Sequence, residues 1–295
     1  MALMPFDDRD GSIWINGEMI PWREATSHTL SHGLHYASTV FEGERVYSGV
    51  IFKGREHTER LRRSCEMLDF ELPLSDHELD AAKMAVVEAN GIVDGYVRAF
   101  AWRGSEMMAI SAQHTTTHVA IAAWEWPSYF DPETKMKGIT LDIADWKRPS
   151  PESAPVHAKA AGLYMICTLS KHAAEKKGFQ DAPMLDYRGY LAEATGANVF
   201  FVDKEGTIHT PIADCFLDGI TRRTVIALAE SLQMKVVQRH LTLDDLSEMT
   251  ECFLTGTAAE VTPVSQIGDA SFTPGHISRQ LVDGYENLVR GRIAL

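Results

Sequence analysis

A lysine set among small apolar residues is the most chemically suggestive feature of this chain. In the stretch Val156-His157-Ala158-Lys159-Ala160-Ala161-Gly162, an amine kept from water loses hydration. That lowers its pKa and makes the neutral form accessible, and a neutral amine attacks aldehydes. The plain alternative is a solvated surface lysine, as most lysines are. Glu193 is similarly isolated, within Leu191-Ala192-Glu193-Ala194-Thr195-Gly196 and between two strand signals. A carboxylate fixed there suits a ring nitrogen that must stay protonated. A turn with a solvated glutamate is the other reading.

Two further segments offer backbone donors. Leu217-Asp218-Gly219-Ile220-Thr221-Arg222 opens a helical pattern. The first N–H groups of a helix are unpaired and favour an anion. Gly219 allows close approach and the Thr221 hydroxyl adds a donor, so the segment reads either as a phosphate cup or as an ordinary N-cap with Thr221 bonding its own helix. Leu254-Thr255-Gly256-Thr257-Ala258-Ala259-Glu260 follows an apolar run. It reads as a second set of exposed N–H groups or as a tight turn. His28, His32 and His35 have metal-like density, but they share a face only on a helix, which Gly33, Ser38 and Thr39 make doubtful. No Cys or carboxylate is close by in sequence, and no metal is expected.

These residues need a scaffold to position them. Asn16-Gly17 between two apolar runs signals a hairpin, and Ser75 with Glu78 forms a capping-box pattern that opens a helix ending at Asn90-Gly91. Strands are expected over 96–102 and 118–124. A proline-rich stretch over 126–132 breaks both periodicities. It points to a small N-terminal domain over 1–125, a linker over 126–137 and a larger domain over 138–295. In the second half the pattern predicts a strand over 139–144 and a helix over 160–177. Strands over 182–186 and 198–202, a helix over 222–233, a strand over 235–239, a short helix over 243–249 and a strand over 251–255 follow. Helices and strands mix without regular βαβ alternation, which predicts an α+β fold with mostly antiparallel sheets.

Bulk properties bound the role. With 295 residues the chain exceeds the usual size of a single core. A net charge of −13 argues against nucleic acid and anionic membranes as partners. No apolar run is long enough to span a bilayer, the first ten residues lack a signal-peptide pattern, and Cys65, Cys167, Cys215 and Cys252 form no CxxC pair. They read as buried thiols in a reducing compartment, hence a cytoplasmic expectation.

Taken in order, the motifs resemble class IV aminotransferases, the fold-type IV pyridoxal-phosphate enzymes, and most nearly their branched-chain amino acid group. The stretches that carry the resemblance are Ser31-His32-Gly33-Leu34-His35-Tyr36, Val40-Phe41-Glu42-Gly43-Glu44-Arg45, Arg55-Glu56-His57-Thr58-Glu59-Arg60-Leu61, the Lys159 and Glu193 segments, Gly219-Ile220-Thr221-Arg222 and Gly256-Thr257-Ala258-Ala259-Glu260. They span nearly the whole chain. The resemblance implies a two-domain fold like that of D-amino acid aminotransferases and pyridoxal 5′-phosphate as cofactor. It implies Lys159 as the lysine bonded to the cofactor aldehyde and Glu193 as the partner of the pyridine nitrogen. Arg60, Ile220, Thr221 and Thr257 become phosphate contacts, two of them through backbone N–H groups, with Gly219 and Gly256 beside them. Leu217 packs on the ring and Tyr164 lies near its O3′. Tyr36, Phe41, Gly43, Arg45, Tyr96, Arg98 and Trp126 shape the substrate pocket, and Thr257 and the Ala258 N–H sit near the substrate carboxylate.

The implied reaction is transamination between leucine, isoleucine or valine and 2-oxoglutarate, in a homo-oligomer of at least two chains whose small domains complete each other's pockets. Other members of the family act on D-amino acids or (R)-amines, or are aminodeoxychorismate lyases, and the cofactor motifs do not separate them. A non-enzymatic relative is disfavoured because Lys159, Glu193 and Thr221 are retained together. The chain departs from the branched-chain pattern after Arg98. The usual Gly-x-Gly is replaced in Trp102-Arg103-Gly104-Ser105-Glu106-Met107-Met108-Ala109-Ile110. The resemblance implies that this loop helps recognise the substrate's carboxylate end, so Arg103 and Glu106 either admit a polar substrate or, as is expected of adjacent opposite charges, pair with each other and face solvent.

Overall fold

The computed structural model describes residues 5–126 and 132–295. The core of the expected linker, residues 127–131, lies outside the described residues. The chain forms two compact units, Met1–Pro127 with Ala158–Gly162, and Ser128–His157 with Leu163–Leu295. The short segment that carries Lys159 therefore belongs with the first unit, although the chain reaches it from the second.

The first unit contains β1 (Ser12–Ile15), β2 (Glu18–Pro21), α1 (His32–Tyr36), β3 (Thr39–Phe41), β4 (Glu44–Tyr47), β5 (Val50–Ile51), α2 (Gly54–Met67), α3 (Asp76–Ala89), β6 (Gly95–Arg103) and β7 (Thr117–Glu125). Among the described residues its strands form one antiparallel sheet of order β2-β1-β7-β6-β4-β5, with β3 also on β6. The β1–β2 hairpin turns at Asn16 and Gly17, both with positive φ (51° and 105°), as a two-residue hairpin of this type requires. The Ser75 capping box is present at the start of α3, closed in both directions with Glu78. Alternation along β6 buries Val97, Ala99 and Ala101, while Arg98, Phe100 and Trp102 stand on the opposite face with partial exposure.

The second unit contains α4 (Pro132–Lys135), β8 (Ile139–Leu141), α5 (Tyr164–Lys176), β9 (Pro183–Leu185), β10 (Leu191–Ala194), β11 (Asn198–Asp203), β12 (Ile208–Thr210), α6 (Ile220–Ser231), β13 (Val236–Gln238), β14 (Met249–Gly256), β15 (Glu260–Ile267), β16 (Ala270–Ser271) and α7 (His276–Val289). Its sheet runs β13-β12-β11-β14-β15-β16, with β9 and β10 joined to β11 and β8 to β15. The β12–β13 and β15–β8 pairs are parallel and the rest antiparallel. Both units thus bear out the α+β, antiparallel-rich expectation. Phe201, Leu254, Val264, Leu141 and Leu241 form the heart of one buried cluster.

Several elements differ from the sequence reading. The helix expected over 160–177 begins only at Tyr164, after a 3-10 turn at Ala161–Leu163. Ala160 is held back by an antiparallel bridge to Val40. The strand expected over 139–144 is confined to Ile139–Leu141. Glu193 lies inside a strand, β10, rather than on a turn. The histidine segment does form a short helix, His32–Tyr36, despite Gly33. Helices α2, α4 and α7 and strands β3, β4, β5, β12, β15 and β16 are additional to the sequence reading, and the short helix expected over 243–249 is a 3-10 turn at Asp244–Glu248.

Candidate active site

Lys159 is tied into the first unit through its own backbone. Its carbonyl accepts from the Phe41 N–H at 3.1 Å and its N–H donates to Ser64 Oγ, on α2, at 3.0 Å. The Nζ lies 5.0 Å from the centre of the Phe41 ring. The side chain is partly buried. Burial is the largest influence on its amine and, with the positive charges of Arg60 and Arg98, brings it down to about 8 against the opposing pull of Glu42 and Tyr96. A useful fraction of neutral amine is therefore present near neutral pH. The reading of Lys159 as an ordinary solvated surface group does not hold.

Around it the first unit gathers most of the residues implied for the substrate pocket. The Arg98 guanidinium lies 4.6 Å from the Phe41 ring and 5.5 Å from the Tyr96 ring. Arg45 pairs in register with Tyr96 across β4 and β6 and lies 5.2 Å from the Tyr47 ring. A side chain on Gly43 would collide with the Tyr96 hydroxyl and displace that ring. The Trp126 ring is 5.2 Å from Tyr96. Arg98, Trp124 and Trp126 also line, with Phe6 and Trp22, a cleft of about 620 Å³ that Lys159 and Phe41 do not border, and the buried Arg98 Nε and Trp124 Nε1 have no hydrogen-bond partner among the described residues. Donors left so are costly unless something accepts from them. Tyr36 stands apart. It is 42% exposed and stacks on His32 at 4.5 Å.

In the second unit Asn198 organises a second group. Its Nδ2 donates to the Leu217 carbonyl at 2.9 Å and to Glu193 Oε2 at 3.4 Å. Its backbone pairs in register with Glu193 on one side and Thr255 on the other. Glu193 is 9% exposed, and Arg148 Nε lies 3.3 Å from its Oε1. A buried arginine thus stands against a buried carboxylate. Gly219 is the N-cap of α6 and no side chain closes that cap, which removes the reading of Thr221 as a capping residue. Thr221 is instead a buried residue of the helix. A Cβ at Gly219 would run into Asn198 Oδ1. The Ile220 and Thr221 N–H groups thus stand at an uncapped helix N-terminus, the arrangement that favours an anion. Gly256 ends β14 and pairs with Glu260, leaving Thr257 and Ala258 in the connecting turn. The buried Thr255 hydroxyl has no hydrogen-bond partner among the described residues. Tyr164 opens α5 and is partly buried.

The sequence reading missed Arg148, Asn198 and Glu42. Arg148 sits in a proline-rich irregular stretch with no periodicity to mark it, and Asn198 looks like any strand-edge residue until its partners are known. The expected Arg103–Glu106 pair is corrected. Arg103 is buried and donates to the Ala112 carbonyl at 2.8 Å and to the Asp69 carbonyl. Glu106 is exposed, with its pKa lowered by the Thr116 hydroxyl. The loop carbonyls, that of Ala112 buried, win the guanidinium because leaving a buried acceptor without its donor costs more than a surface pair returns. The histidines also have other partners. His32 bonds Ser38 Oγ and the Ala109 carbonyl, and His35 bonds the Thr29 carbonyl.

The chemistry of these groups suits a phosphorylated aldehyde. They comprise an amine of lowered pKa, a buried carboxylate backed by arginine, and an uncapped helix N-terminus approached through glycine. Taken unit by unit, on an α+β scaffold, they are the groups expected of a pyridoxal-phosphate enzyme of fold type IV. A protein-family model for amino-transferase class IV matches residues 39–267. A Rickettsia bellii protein named probable branched-chain-amino-acid aminotransferase is 42% identical over 283 residues, 95% of this chain and 96% of the relative. A branched-chain-amino-acid aminotransferase of Pseudomonas aeruginosa is 37% identical over 296 residues, 98% and 96% of the two chains. The crystal structure of a T.th. branched-chain amino acid aminotransferase with pyridoxamine 5′-phosphate superposes with a TM-score of 0.93 at 38% identity, covering 97% of this chain and 96% of the other. The same enzyme complexed with N-(5′-phosphopyridoxyl)-L-glutamate gives a TM-score of 0.91 at 37% identity, with the same coverage. The chain belongs to the class IV aminotransferase family. It is an aminotransferase whose cofactor is pyridoxal 5′-phosphate, and its resemblance to the branched-chain group is borne out.

Proposed function

We propose that the enzyme transfers amino groups between L-branched-chain amino acids (leucine, isoleucine, valine) and 2-oxoglutarate. The observation that carries this is the Lys159 amine, brought to about 8 beside Phe41, Tyr96 and Arg98, in a chain whose relatives bear branched-chain names. The T.th. enzyme's complex with a phosphopyridoxyl-glutamate supports the co-substrate, since glutamate is the amino form of 2-oxoglutarate.

When bound, pyridoxal phosphate supplies an electron-withdrawing aldehyde-bearing ring that carries the amino group from donor to acceptor. In this reading Lys159 Nζ bonds the cofactor at rest and, once freed, takes up the proton leaving the substrate Cα. Glu193, backed by Arg148 and Asn198, holds a proton on the ring nitrogen. Arg60, the Ile220 and Thr221 N–H groups, the Thr221 hydroxyl and Thr257 bind the phosphate, with Gly219 and Gly256 permitting the approach. Leu217 packs on the ring and Tyr164 orients its O3′. Tyr36, Phe41, Gly43, Arg45, Tyr96 and Trp126 shape the side-chain pocket. Arg98, Thr257 and the Ala258 N–H orient the substrate, Arg98 by offering its buried Nε. The small domain spans 1–125, the linker 126–137 and the large domain 138–295. The enzyme works as a cytoplasmic homo-oligomer, and no helix among the described residues is long and apolar enough to cross a membrane.

A substrate panel of L- and D-amino acids and both enantiomers of a chiral amine tests the reading. Transamination of leucine, isoleucine and valine with 2-oxoglutarate is expected, in a ping-pong pattern. Activity confined to D-alanine or (R)-amines, or pyruvate release from aminodeoxychorismate without amino transfer, would reassign it. Borohydride reduction of the loaded enzyme should leave its pyridoxyl label on Lys159, and Lys159→Ala should lower turnover by at least roughly 10³-fold.

A further inference from the structure

The carboxylate with the tightest grip on it in the first unit has no role in the reaction described above. Glu42 is 0% exposed. It follows β3 directly, and its N–H donates to the Ala99 carbonyl of β6 at 2.7 Å. One carboxylate oxygen accepts from Arg60 Nε at 2.6 Å. The other accepts from Arg60 Nη2 at 2.7 Å and from His57 Nδ1 at 2.6 Å. His57, Arg60 and Ser64 are all buried residues of α2, at spacings of three and four that place them along one face. Ser64 accepts the Lys159 N–H, and the Phe41 N–H, next to Glu42, donates to the Lys159 carbonyl. The residue is therefore fixed twice, its backbone by the bond to β6 and its carboxylate by a two-pronged guanidinium. The elements it ties are the same ones that hold the lysine backbone.

We propose that Glu42 is a positioning residue for the Lys159 amine, acting through Arg60, whose guanidinium it holds edge-on by Nε and Nη2. The proposal rests on the reading of Lys159 as the reacting amine. A guanidinium on a long side chain would otherwise sample several rotamers, and the field at the amine would vary with each. Burial by itself would raise the Glu42 carboxyl, yet Arg60 and His57 outweigh it and hold it well below the usual carboxylate range. The pair therefore stays charged throughout the working range. The charged and titratable groups that act on Lys159 are Arg60 of α2, Glu42 after β3, and Tyr96 and Arg98 of β6. Arg60 and Arg98 push the amine toward its neutral form, and Glu42 and Tyr96 oppose them. Clamping Arg60 to Glu42 leaves the arginine as the stronger of the two while keeping a counter-charge beside it, so the amine is tuned rather than stripped of its proton.

The test is the titration of Lys159 in the full-length chain freed of cofactor. Its amines are acetylated competitively with acetic anhydride between about pH 6 and 10.5, and the peptide that contains Lys159 is quantified by mass spectrometry. Glu42→Gln keeps the shape but removes the counter-charge, so the Lys159 midpoint should fall by about one unit or more. A folded Glu42→Gln protein with the wild-type midpoint, or a higher one, overturns the proposal. That variant leaves a buried arginine uncompensated and is the one at risk of misfolding. The double variant Glu42→Met with Arg60→Met removes both charges and avoids that risk. There the Lys159 midpoint should rise, because the stronger neighbour, Arg60, is lost. A midpoint unchanged in the double variant equally refutes the idea. A pyridoxyl label missing from Lys159 after borohydride would sink the cofactor reading alone, whereas a label in place with unmoved titrations would sink only the role of Glu42.

Discussion

On the proposed reading, Lys159 trades stability for chemistry. An amine whose folded pKa is about 8, against an ordinary value of 10.5, is one the fold would rather not charge. The sign follows from proton linkage. Below about pH 8 both folded and unfolded chains carry the proton and the folded state bears the full penalty. Between about 8 and 10.5 the folded chain gives up its proton first, so stability rises with pH across that window. Lys159→Met should therefore abolish turnover yet stabilise the cofactor-free protein at pH 7, on the order of 2 kcal/mol. The advantage should shrink toward pH 10.5. Thermal unfolding of both proteins across that range checks it, and a variant less stable than wild type at pH 7 would contradict the argument. The sequence revealed that Lys159 sits among small residues, and that much was correct. Arg60 and Arg98 entered only through the family resemblance and Glu42 not at all, because those neighbours come from elements far away in the chain. Asn198 and Arg148 escaped for the same reason, since neither acquires meaning until β10, β11 and the 145–150 stretch are brought together.

Elements with strong local chemistry were the legible ones. The Asn16-Gly17 hairpin and the Ser75 capping box are written in adjacent residues, the alternation of β6 is written in its side chains, and β7 shows as a continuous apolar run, Val119–Ala123. Helix α2 left no such trace. Its buried face is His57, Thr58, Arg60 and Ser64, with only Leu61 and Cys65 apolar. A helix that buries polar residues because it carries part of the site lacks the apolar stripe by which helices are recognised. Helix α7 does have that stripe, in Leu281, Val282, Tyr285 and Val289. The loop after β6 was misjudged because the contest for Arg103 is decided in three dimensions. Its guanidinium closes the loop by reaching Ala112 and Asp69 and lies 5.3 Å from the Phe70 ring. Arg103→Met keeps the bulk and removes the donors, leaving two carbonyls short at a cost of about 2–3 kcal/mol. Hydrogen exchange over 104–116 should quicken at least tenfold, and, since this loop is implied in recognising the substrate, KM should rise more than kcat falls. Unchanged exchange in that segment would show that Arg103 does not hold the loop.

At the scale of the molecule, the question is what a strongly acidic protein does with apolar side chains on its surface. The net charge of −13 makes copies of the chain repel one another, so any association has to rest on local apolar burial. The first unit offers it. Leu34 of α1 is 73% exposed and Ile110 is 84% exposed, with Leu30, Tyr36 and Met108 also exposed nearby in the chain. His32 fastens these two segments together, through Ser38 on one side and the Ala109 carbonyl on the other. The patch is thus presented in a fixed shape and loses little entropy on docking. Leu34→Glu with Ile110→Glu adds two charges of the prevailing sign to the centre of that patch. In light scattering the wild type should weigh at least twice the 32.8 kDa of one chain, and the double variant should fall to a single chain at micromolar concentration. Because the resemblance has one subunit's small domain completing the other's pocket, turnover should fall about tenfold or more, with the fold, judged by circular dichroism, unchanged. A wild type that runs as a monomer would remove the premise. A variant that stays oligomeric would move the interface to another face, since two like charges buried without partners cost more than a contact of this size returns.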